Sequence, residues 1–179
     1  MQIRPRTFYP RFKRVYGFFI YTFVFLFVLV YKIGLDPVAV RRAAMDHLAR
    51  REHGRRELTD KLTRRFRDAD VVEAEVERLR SEGLQSDLRM AEAFVRSRVN
   101  RGQGPVRIRM ELRQKGIPDD ILEIAMEAAD ADWQSLARTV HDKRFGDLPA
   151  EDMKERARRA RFLQQRGFSP DHIRSLIEF

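Results

Sequence analysis

A sixteen-residue segment occurs twice in this chain, and that internal repeat constrains the fold more than any other feature. ELRQKGIPDDILEIAM, at residues 111–126, aligns with FLQQRGFSPDHIRSLI, at residues 162–177, at a constant shift of 51 residues. The shift places Gly116 on Gly167, each followed by a hydrophobic residue. Amphipathic helices resemble one another in general, but this shared Leu-x-x-x-Gly step favours a true repeat. Such periods are typical of arrays of small helical units.

Hydrophobic residues recur at helical spacing along the chain from position 36 onwards. Asp36-Pro37 is a good helix start, and the first helix is expected to end near Gly54. The predicted inward-facing stripes are Val40, Ala43, Ala44, His47 and Leu48; Leu58, Leu62 and Phe66; Val72, Val76 and Leu79; Ala91, Phe94 and Val95; Ile108 and Leu112; Ile121, Leu122, Ala125, Met126 and Ala129; Trp133, Leu136, Ala137 and Val140; Met153, Ala157, Ala160 and Leu163; and Ile173, Leu176 and Ile177.

These stripes predict an all-α fold, an elongated array of three tandem three-helix repeats. The first repeat covers residues 36–85, the second 86–131 and the third 132–179. Since small repeats usually bury their hydrophobic faces by stacking, each unit is expected to pack mainly on its neighbours.

Short polar motifs are interpreted as helix boundaries. Gly102-Gln103-Gly104-Pro105 is too short for a nucleotide-binding fingerprint, and Pro105 suits the first turn of a helix. Gly116 is a natural helix stop. Asp119-Asp120 and Glu151-Asp152 stand where helices are predicted to start, so they are interpreted as caps and not as paired catalytic carboxylates.

The composition disfavours an enzyme. The chain has no cysteine, which excludes a disulfide framework, a thiolate zinc site and a cysteine nucleophile. No two of its four histidines are four residues apart, and it contains no HExxH, GxxxxGK[ST] or GxSxG motif. We therefore expect no catalytic residues, no metal site and no cofactor.

The basic residues of the chain are concentrated in clusters of arginine. The chain carries a formal charge of +9, but residues 1–35 contribute six basic residues and no acid. The remainder is close to neutral, so it is not a general nucleic-acid coat. The planar guanidinium group of arginine can form paired hydrogen bonds with carboxylates and with phosphates equally well. The predicted binding residues are Arg50, Arg51, Arg55, Arg56, Arg96, Arg98, Arg101, Arg107, Arg109, Arg113 and Lys115.

Residues 1–35 form a hydrophobic N-terminal extension. Residues 15–31 are apolar or aromatic apart from Gly17 and Thr22, and they approach the ~20 residues that span a bilayer. No small-x-small cleavage site follows, which argues against a cleaved signal. Two interpretations stay open: a membrane anchor, or a start site placed too far upstream, since the composition changes abruptly at Asp36-Pro37.

Three stretches carry a resemblance to a known family. LARREHGRREL at 48–58, SDLRMAEAFVRSRVNRGQGPVRIRMELRQKGI at 86–117 and RRARFLQQRGFSPDHIRSLI at 158–177 resemble the RecX family. The resemblance covers about residues 38–179, and the middle stretch is its most specific part. Members of this family usually begin near the equivalent of Val38, which favours an upstream start-site error as the origin of residues 1–35.

The resemblance implies a non-catalytic, cytoplasmic regulator of the RecA recombinase in DNA repair, recombination and the SOS response. Such proteins bind the RecA filament, with its single- or double-stranded DNA, and limit filament growth, ATP hydrolysis and strand exchange. We expect a monomer. Two alternatives remain: a plain helical DNA-binding module, and a membrane-tethered adaptor that uses residues 15–31 as its anchor.

Overall fold

A computed structural model describes residues 37–146 and 149–177. The predicted extension, residues 1–35, lies outside these ranges. Within them the chain forms nine α-helices and no strand, and no helix is both long and apolar enough to cross a bilayer. The helices are α1 (Pro37–Leu48), α2 (Arg55–Phe66), α3 (Ala69–Ser81), α4 (Asp87–Asn100), α5 (Pro105–Gln114), α6 (Asp119–Ala128), α7 (Trp133–Phe145), α8 (Met153–Arg166) and α9 (Pro170–Arg174).

Each set of three consecutive helices encloses its own hydrophobic core. Unit 1 (α1–α3) buries residues such as Leu58 and Val76, unit 2 (α4–α6) buries Ile108 and Leu122, and unit 3 (α7–α9) buries Leu163. The prediction of an all-α array of three three-helix repeats is confirmed. The predicted boundaries, 36–85, 86–131 and 132–179, stay predictions.

The expectation that each unit packs mainly on its neighbours is wrong. Every pair of helices with an extensive contact lies inside one unit, as α4 and α6 do in unit 2. The three helices of a unit bury their apolar side chains against one another, so the core closes without help from the next unit. The units therefore meet only at small joints, and those joints organise the surface described below.

Side-chain caps start most of the helices that the sequence pattern marked. Five capping side chains accept a hydrogen bond from a backbone N–H of the first turn, namely Asp68, Ser86, Asp132, Asp152 and Ser169. These bonds satisfy amide donors that have no partner inside the helix. Local sequence therefore fixes these helix starts.

Three local predictions are wrong. Asp119 and Asp120 do not cap α6, because Pro118 is its N-cap residue and the two carboxylates lie in the first turn, where they still face the positive end of the helix dipole. The first helix ends at Leu48, and Gly54 is instead the N-cap residue of α2. A Cβ at Gly54 would lie 2.9 Å from the terminal methyl of Met90 in unit 2.

The exposure of Met153 is the third of these differences. Helical spacing predicts an inward-facing position for Met153, but 65% of its surface is exposed. Met153 is the first residue of α8, where the helix has not yet reached its partners, so spacing alone is a poor guide to burial.

The first joint, between units 1 and 2, is held largely by side chains. Oδ1 of Asp87 accepts hydrogen bonds from the backbone N–H of Arg55, at 2.7 Å, and from Nε2 of Gln85, at 2.9 Å. Gln85 is 1% exposed and also donates to the carbonyl of His53. Asp87 therefore ties the start of α4 to the start of α2.

The second joint, between units 2 and 3, is held by the backbone. The N–H of Gly104 donates to the carbonyl of Arg166 at 2.8 Å, and the N–H of Val106 donates to the carbonyl of Gly167 at 3.0 Å. Arg107 adds a side-chain bond to the carbonyl of Gln165 at 3.2 Å. Residues 102–105 thus form the predicted turn between helices, and this segment is also hydrogen-bonded to the end of α8.

Candidate functional site

Two clefts share Arg101 and together form what we call the basic groove. The first cleft has a volume of about 390 Å³ and lies between α4 and the segment before α2; its basic lining residues are Arg51, Arg98, Arg101 and Lys115. The second cleft, of about 530 Å³, lies at the second joint, and its basic lining residues are Arg101, Lys143, Arg144 and Arg166. The groove therefore spans surfaces from all three units.

Carboxylates outside the two linings pair with two of these cations, Arg51 with Glu57 and Arg98 with Glu111. Glu52 is the acidic residue in the lining of the first cleft, and it pairs with Arg89 at 2.7 Å. The lining of the second cleft contains no carboxylate. Among the described residues, no carboxylate lies within 4.0 Å of the charged groups of Arg101, Lys143 or Arg144. These cations are available for an anionic partner.

Two phenylalanine rings in the groove each carry an arginine. The Cζ atom of Arg98 lies 4.4 Å from the centre of the Phe94 ring, and that of Arg166 lies 5.3 Å from the centre of the Phe162 ring. Each pair is spaced i, i+4 on one helix, so the two side chains are neighbours on the helix surface. Lys115 also lies 5.5 Å from the Phe94 ring. The cation–π attraction holds these charges against half-buried aromatic surface.

Glu111 fixes two of the predicted binding residues. It accepts hydrogen bonds from Nε of Arg98, at 2.7 Å, and from Nε of Arg107, at 2.8 Å. Burial alone would raise the pKa of the Glu111 carboxyl, but the hydrogen bonds from Arg107 and Arg98 outweigh it and the pKa is lowered. The carboxylate therefore stays ionised and connects α4 to α5 beside the groove.

Arg109 and Arg113 were predicted to face a partner, but both form ion pairs within unit 2. Arg109 makes a two-pronged contact with Glu123, both bonds 2.9 Å long, and Arg113 contacts Asp119 at 2.7 Å. The hydrogen bonds that Arg109 donates to the Glu123 carboxylate raise the pKa of Arg109. Neither side chain lines the groove. A partner would have to compete with these carboxylates for both guanidinium groups.

The other predicted residues have varied surroundings. Arg51 pairs with Glu57, Arg55 lies 3.8 Å from Glu77, and Arg96 lies 3.9 Å from Glu92. Arg56 and Arg107 pack against the next unit at the two joints. Arg50 is exposed, with no carboxylate near it in the described part of the chain. Of the eleven predicted residues, the structure brings four together in the groove: Arg51, Arg98, Arg101 and Lys115.

Sequence reasoning missed Lys143, Arg144 and Arg166. A usable signal was present, since FVRSR at 94–98 and FLQQR at 162–166 share the Phe-x-x-x-Arg spacing. The signal for Lys143 and Arg144 is weaker, because basic residues in the last turn of any helix favour its dipole. Their role in a groove depends on the packing of α7 beside α4's end.

His53 is a buried residue of the first joint and not a free titratable group. Its Nδ1 lies 3.0 Å from the carbonyl of Arg51, and its Nε2 lies 3.2 Å from Nζ of Lys61. A neutral ring with the proton on Nδ1 donates to the carbonyl and accepts from the ammonium group. Burial is the main cause that lowers the pKa of His53, which is consistent with this neutral form.

The fold and the groove define a class: an all-helical repeat protein with a basic groove that spans its units. Comparison with known proteins identifies the family within this class. Three family models match the chain, described as the first, second and third three-helix domains of RecX, at residues 41–79, 86–126 and 130–177. This chain belongs to the RecX family of regulatory proteins.

Individual relatives agree over most of the chain. Regulatory protein RecX of Halorhodospira halophila is 52% identical over 142 residues, which are 79% of this chain and 88% of that protein. Regulatory protein RecX of Pseudomonas fluorescens is 48% identical over 141 residues, 78% of this chain and 90% of the relative. The crystal structure of RecX from Lactobacillus salivarius superposes with a TM-score of 0.68 at 26% identity, covering 79% of this chain and 94% of that one.

Proposed function

We propose that this chain is a non-catalytic, cytoplasmic regulator that binds the RecA–DNA filament as a monomer and inhibits ATP hydrolysis and strand exchange in DNA repair and recombination. Membership of a family of regulatory proteins supports this role. The observation that carries it is the basic groove, whose cations come from three units. A filament offers phosphates and carboxylates along an extended surface, and such a groove can contact several of them at once.

The test titrates the full chain against RecA on single-stranded DNA, with ATP hydrolysis and strand exchange as readouts. We expect both activities to fall at or below an equal ratio of regulator to recombinase. Unchanged hydrolysis and unchanged strand exchange would overturn the proposal.

A matched pair of variants ties inhibition to the groove. Lys143→Ala/Arg144→Ala removes two adjacent cations from the last turn of α7. Arg64→Ala/Arg65→Ala removes two from the last turn of α2, outside the groove. The groove variant should require several-fold more protein for half-inhibition, whereas the control should match the unaltered chain.

A second candidate, a plain helical DNA-binding module, is favoured by the uncompensated cations of the second cleft. Phosphate contacts make affinity fall steeply with salt. Titration of DNA without RecA at two salt concentrations separates the two functions. Tight DNA binding with no effect on RecA favours the module, and inhibition despite weak DNA binding favours the regulator.

A further inference from the structure

The two Phe–Arg stacks, Phe94 with Arg98 and Phe162 with Arg166, form a feature that the proposed function does not explain. Phosphate recognition needs only cations, yet each half of the groove also places a guanidinium group over an aromatic ring. The two stacks lie on α4 and α8, in different units, and Arg101 lines both clefts. Charge is thus combined with flat, stackable surface at two successive places.

Each guanidinium is held in position by a hydrogen bond as well as by its ring. Nε of Arg98 donates to Glu111 at 2.7 Å, and Nη1 of Arg166 donates to the carbonyl of Arg101 at 3.3 Å. Phe94 and Phe162 are anchored in turn, because each packs partly into the core of its own unit. A partner that stacks on these planes meets surfaces that are already ordered, which lowers the entropic cost of binding.

Unpaired nucleic-acid bases are the partners that combine flat rings with phosphates. In single strands the bases are free to stack on aromatic rings and on guanidinium planes, while the phosphates follow cations along the groove. In a duplex the base faces are already stacked on one another. The groove supplies stacking surfaces for the bases and cations for the phosphates, since Lys115, Lys143 and Arg144 lie beside the two stacks.

We propose that the two Phe–Arg stacks are base-stacking sites that give the groove a preference for single-stranded over double-stranded DNA. This inference rests on the proposed function, because the single strand in question is the one within the RecA filament. It goes beyond that function by naming the residues that distinguish single-stranded from double-stranded DNA. A stacked base at each site, with Arg101 between them, places the strand across unit 2 and the second joint.

The experiment measures fluorescence anisotropy of a labelled oligothymidylate and of a duplex of equal length, with the full chain and no RecA. Phe94→Leu/Phe162→Leu removes both rings and keeps apolar side chains at the core edges. Single-strand affinity should fall about tenfold or more, given the usual contribution of base stacking. Duplex affinity should stay unchanged, and so should the slope of log affinity against log salt, because no phosphate contact is lost.

Phe66→Leu is the matched control. Phe66 also packs partly into a core and carries an arginine, with Cζ of Arg65 at 5.2 Å, but it lies in unit 1 and lines neither cleft of the groove. This variant should bind both DNAs like the unaltered chain. Lys143→Ala/Arg144→Ala should give the opposite pattern to the ring variant, with a shallower salt slope and a loss for both DNAs.

A second set of variants keeps the test decisive if the ring variant unfolds. Arg98→Lys/Arg166→Lys retains both charges and removes the planar groups, so single-strand affinity should again fall selectively. Equal losses for both DNAs, no loss in either stack variant, or no single-strand binding by the unaltered chain would each overturn the proposal. RecA inhibition is measured in parallel, so an inhibitor that binds no single strand refutes the stacking sites alone, and a single-strand binder that does not inhibit refutes the regulatory function alone.

Discussion

Gly167 lies directly against Arg107 across the second joint: a Cβ at Gly167 would lie 2.2 Å from the Cβ of Arg107. One repeat earlier, a Cβ at Gly116 would lie 2.7 Å from Cδ of Arg56 across the first joint. The shift of 51 residues that relates the two glycines also relates the two arginines. The repeat in the sequence is therefore a repeat of the joint as well as of the helices.

The end of α2 indicates that close packing between units, and not backbone conformation, requires glycine at positions 116 and 167. Its C-cap residue, Arg67, has the same left-handed backbone, with φ of 55°. Gly116 and Gly167 have φ of 79° and 90°. Backbone conformation alone thus does not demand glycine, since Arg67 adopts it where it is exposed. The close approach of a neighbouring unit does.

Gly167→Ala should destabilise the protein more than Gly83→Ala. Both residues have positive φ, but a Cβ at Gly83 meets nothing within 4 Å. Gly83→Ala should therefore cost only the backbone strain, about 1 kcal/mol. Gly167→Ala should cost roughly 3 kcal/mol or more, because the second joint must also shift. Urea unfolding of the three proteins measures the difference, and equal losses would show that the joint tolerates the methyl group.

Asp87→Ala should weaken the first joint. The carboxylate accepts hydrogen bonds from the backbone of Arg55 and from buried Gln85, and its removal leaves both donors without this partner. We expect a loss of about 1–3 kcal/mol in the free energy of unfolding. Asp70→Ala is the control, since Asp70 occupies the first turn of α3 and is exposed. A control loss as large as that of Asp87→Ala would assign the effect to the helix dipole.

Glu57 should contribute stability that acid removes. Burial alone would raise the pKa of its carboxyl, but hydrogen bonds from Arg51 and Lys61 lower it from 4.5 to about 2. A folded-state pKa below the unfolded value stabilises the fold above the unfolded pKa, and this contribution is lost as the pH falls from about 5 towards 2. Glu57→Gln should cost about 1–2 kcal/mol at pH 7 after allowance for solvent screening.

Unfolding of Glu57→Gln and of the unaltered chain is best compared at pH 7 and pH 3. The difference between the two proteins should shrink at the lower pH. A constant difference would mean that Glu57 acts through packing and not through its charge.

Glu111→Gln should loosen both Arg98 and Arg107. It leaves two guanidinium groups beside a neutral amide, so the unfolding free energy should fall by about 1–2 kcal/mol at pH 7. Glu77→Gln, which disrupts an exposed pair with Arg80, should change stability much less, because solvent screens that pair. Because the pKa of Glu111 is lowered, the difference should diminish on acidification below 4.5. Equal effects of the two variants would contradict a specific role for Glu111.

The two candidate surfaces of unit 2 should differ in their effect on RecA. Arg109→Ala/Arg113→Ala removes arginines that already have carboxylate partners, whereas Lys143→Ala/Arg144→Ala removes cations without them. We expect the second variant to weaken inhibition more, as measured by the concentration that halves RecA ATP hydrolysis. A larger loss in the first variant would place the contact surface on α5 and α6.

Much of the fold was predictable because helix formation is local. The stripe of Leu58 and Leu62 and the caps at Asp68 and Ser86 lie within one or two turns of the residues that they organise. The separate cores were not predictable. Whether a three-helix unit closes on itself depends on how its helices pack, and a periodic pattern does not specify that.

The candidate site was less predictable than the fold. Arg101 and Arg109 look alike in the sequence, each among other arginines, but Arg109 meets Glu123, fourteen residues further on, across the α5–α6 contact. Arg101 meets no carboxylate in the described ranges and lines both clefts. A count of charges along the chain does not separate these two environments.

By itself, the sequence determined the amphipathic helices of the described ranges, most of their starting points and the 51-residue repeat, because helix formation and capping depend on residues close together in the chain. Only the tertiary structure decided which cations are paired and which line the groove. Arg107 reaches Gln165 and Arg166 reaches Arg101 over 58 and 65 residues. Contacts over such separations depend on how one unit packs against the next, which a local sequence pattern does not specify.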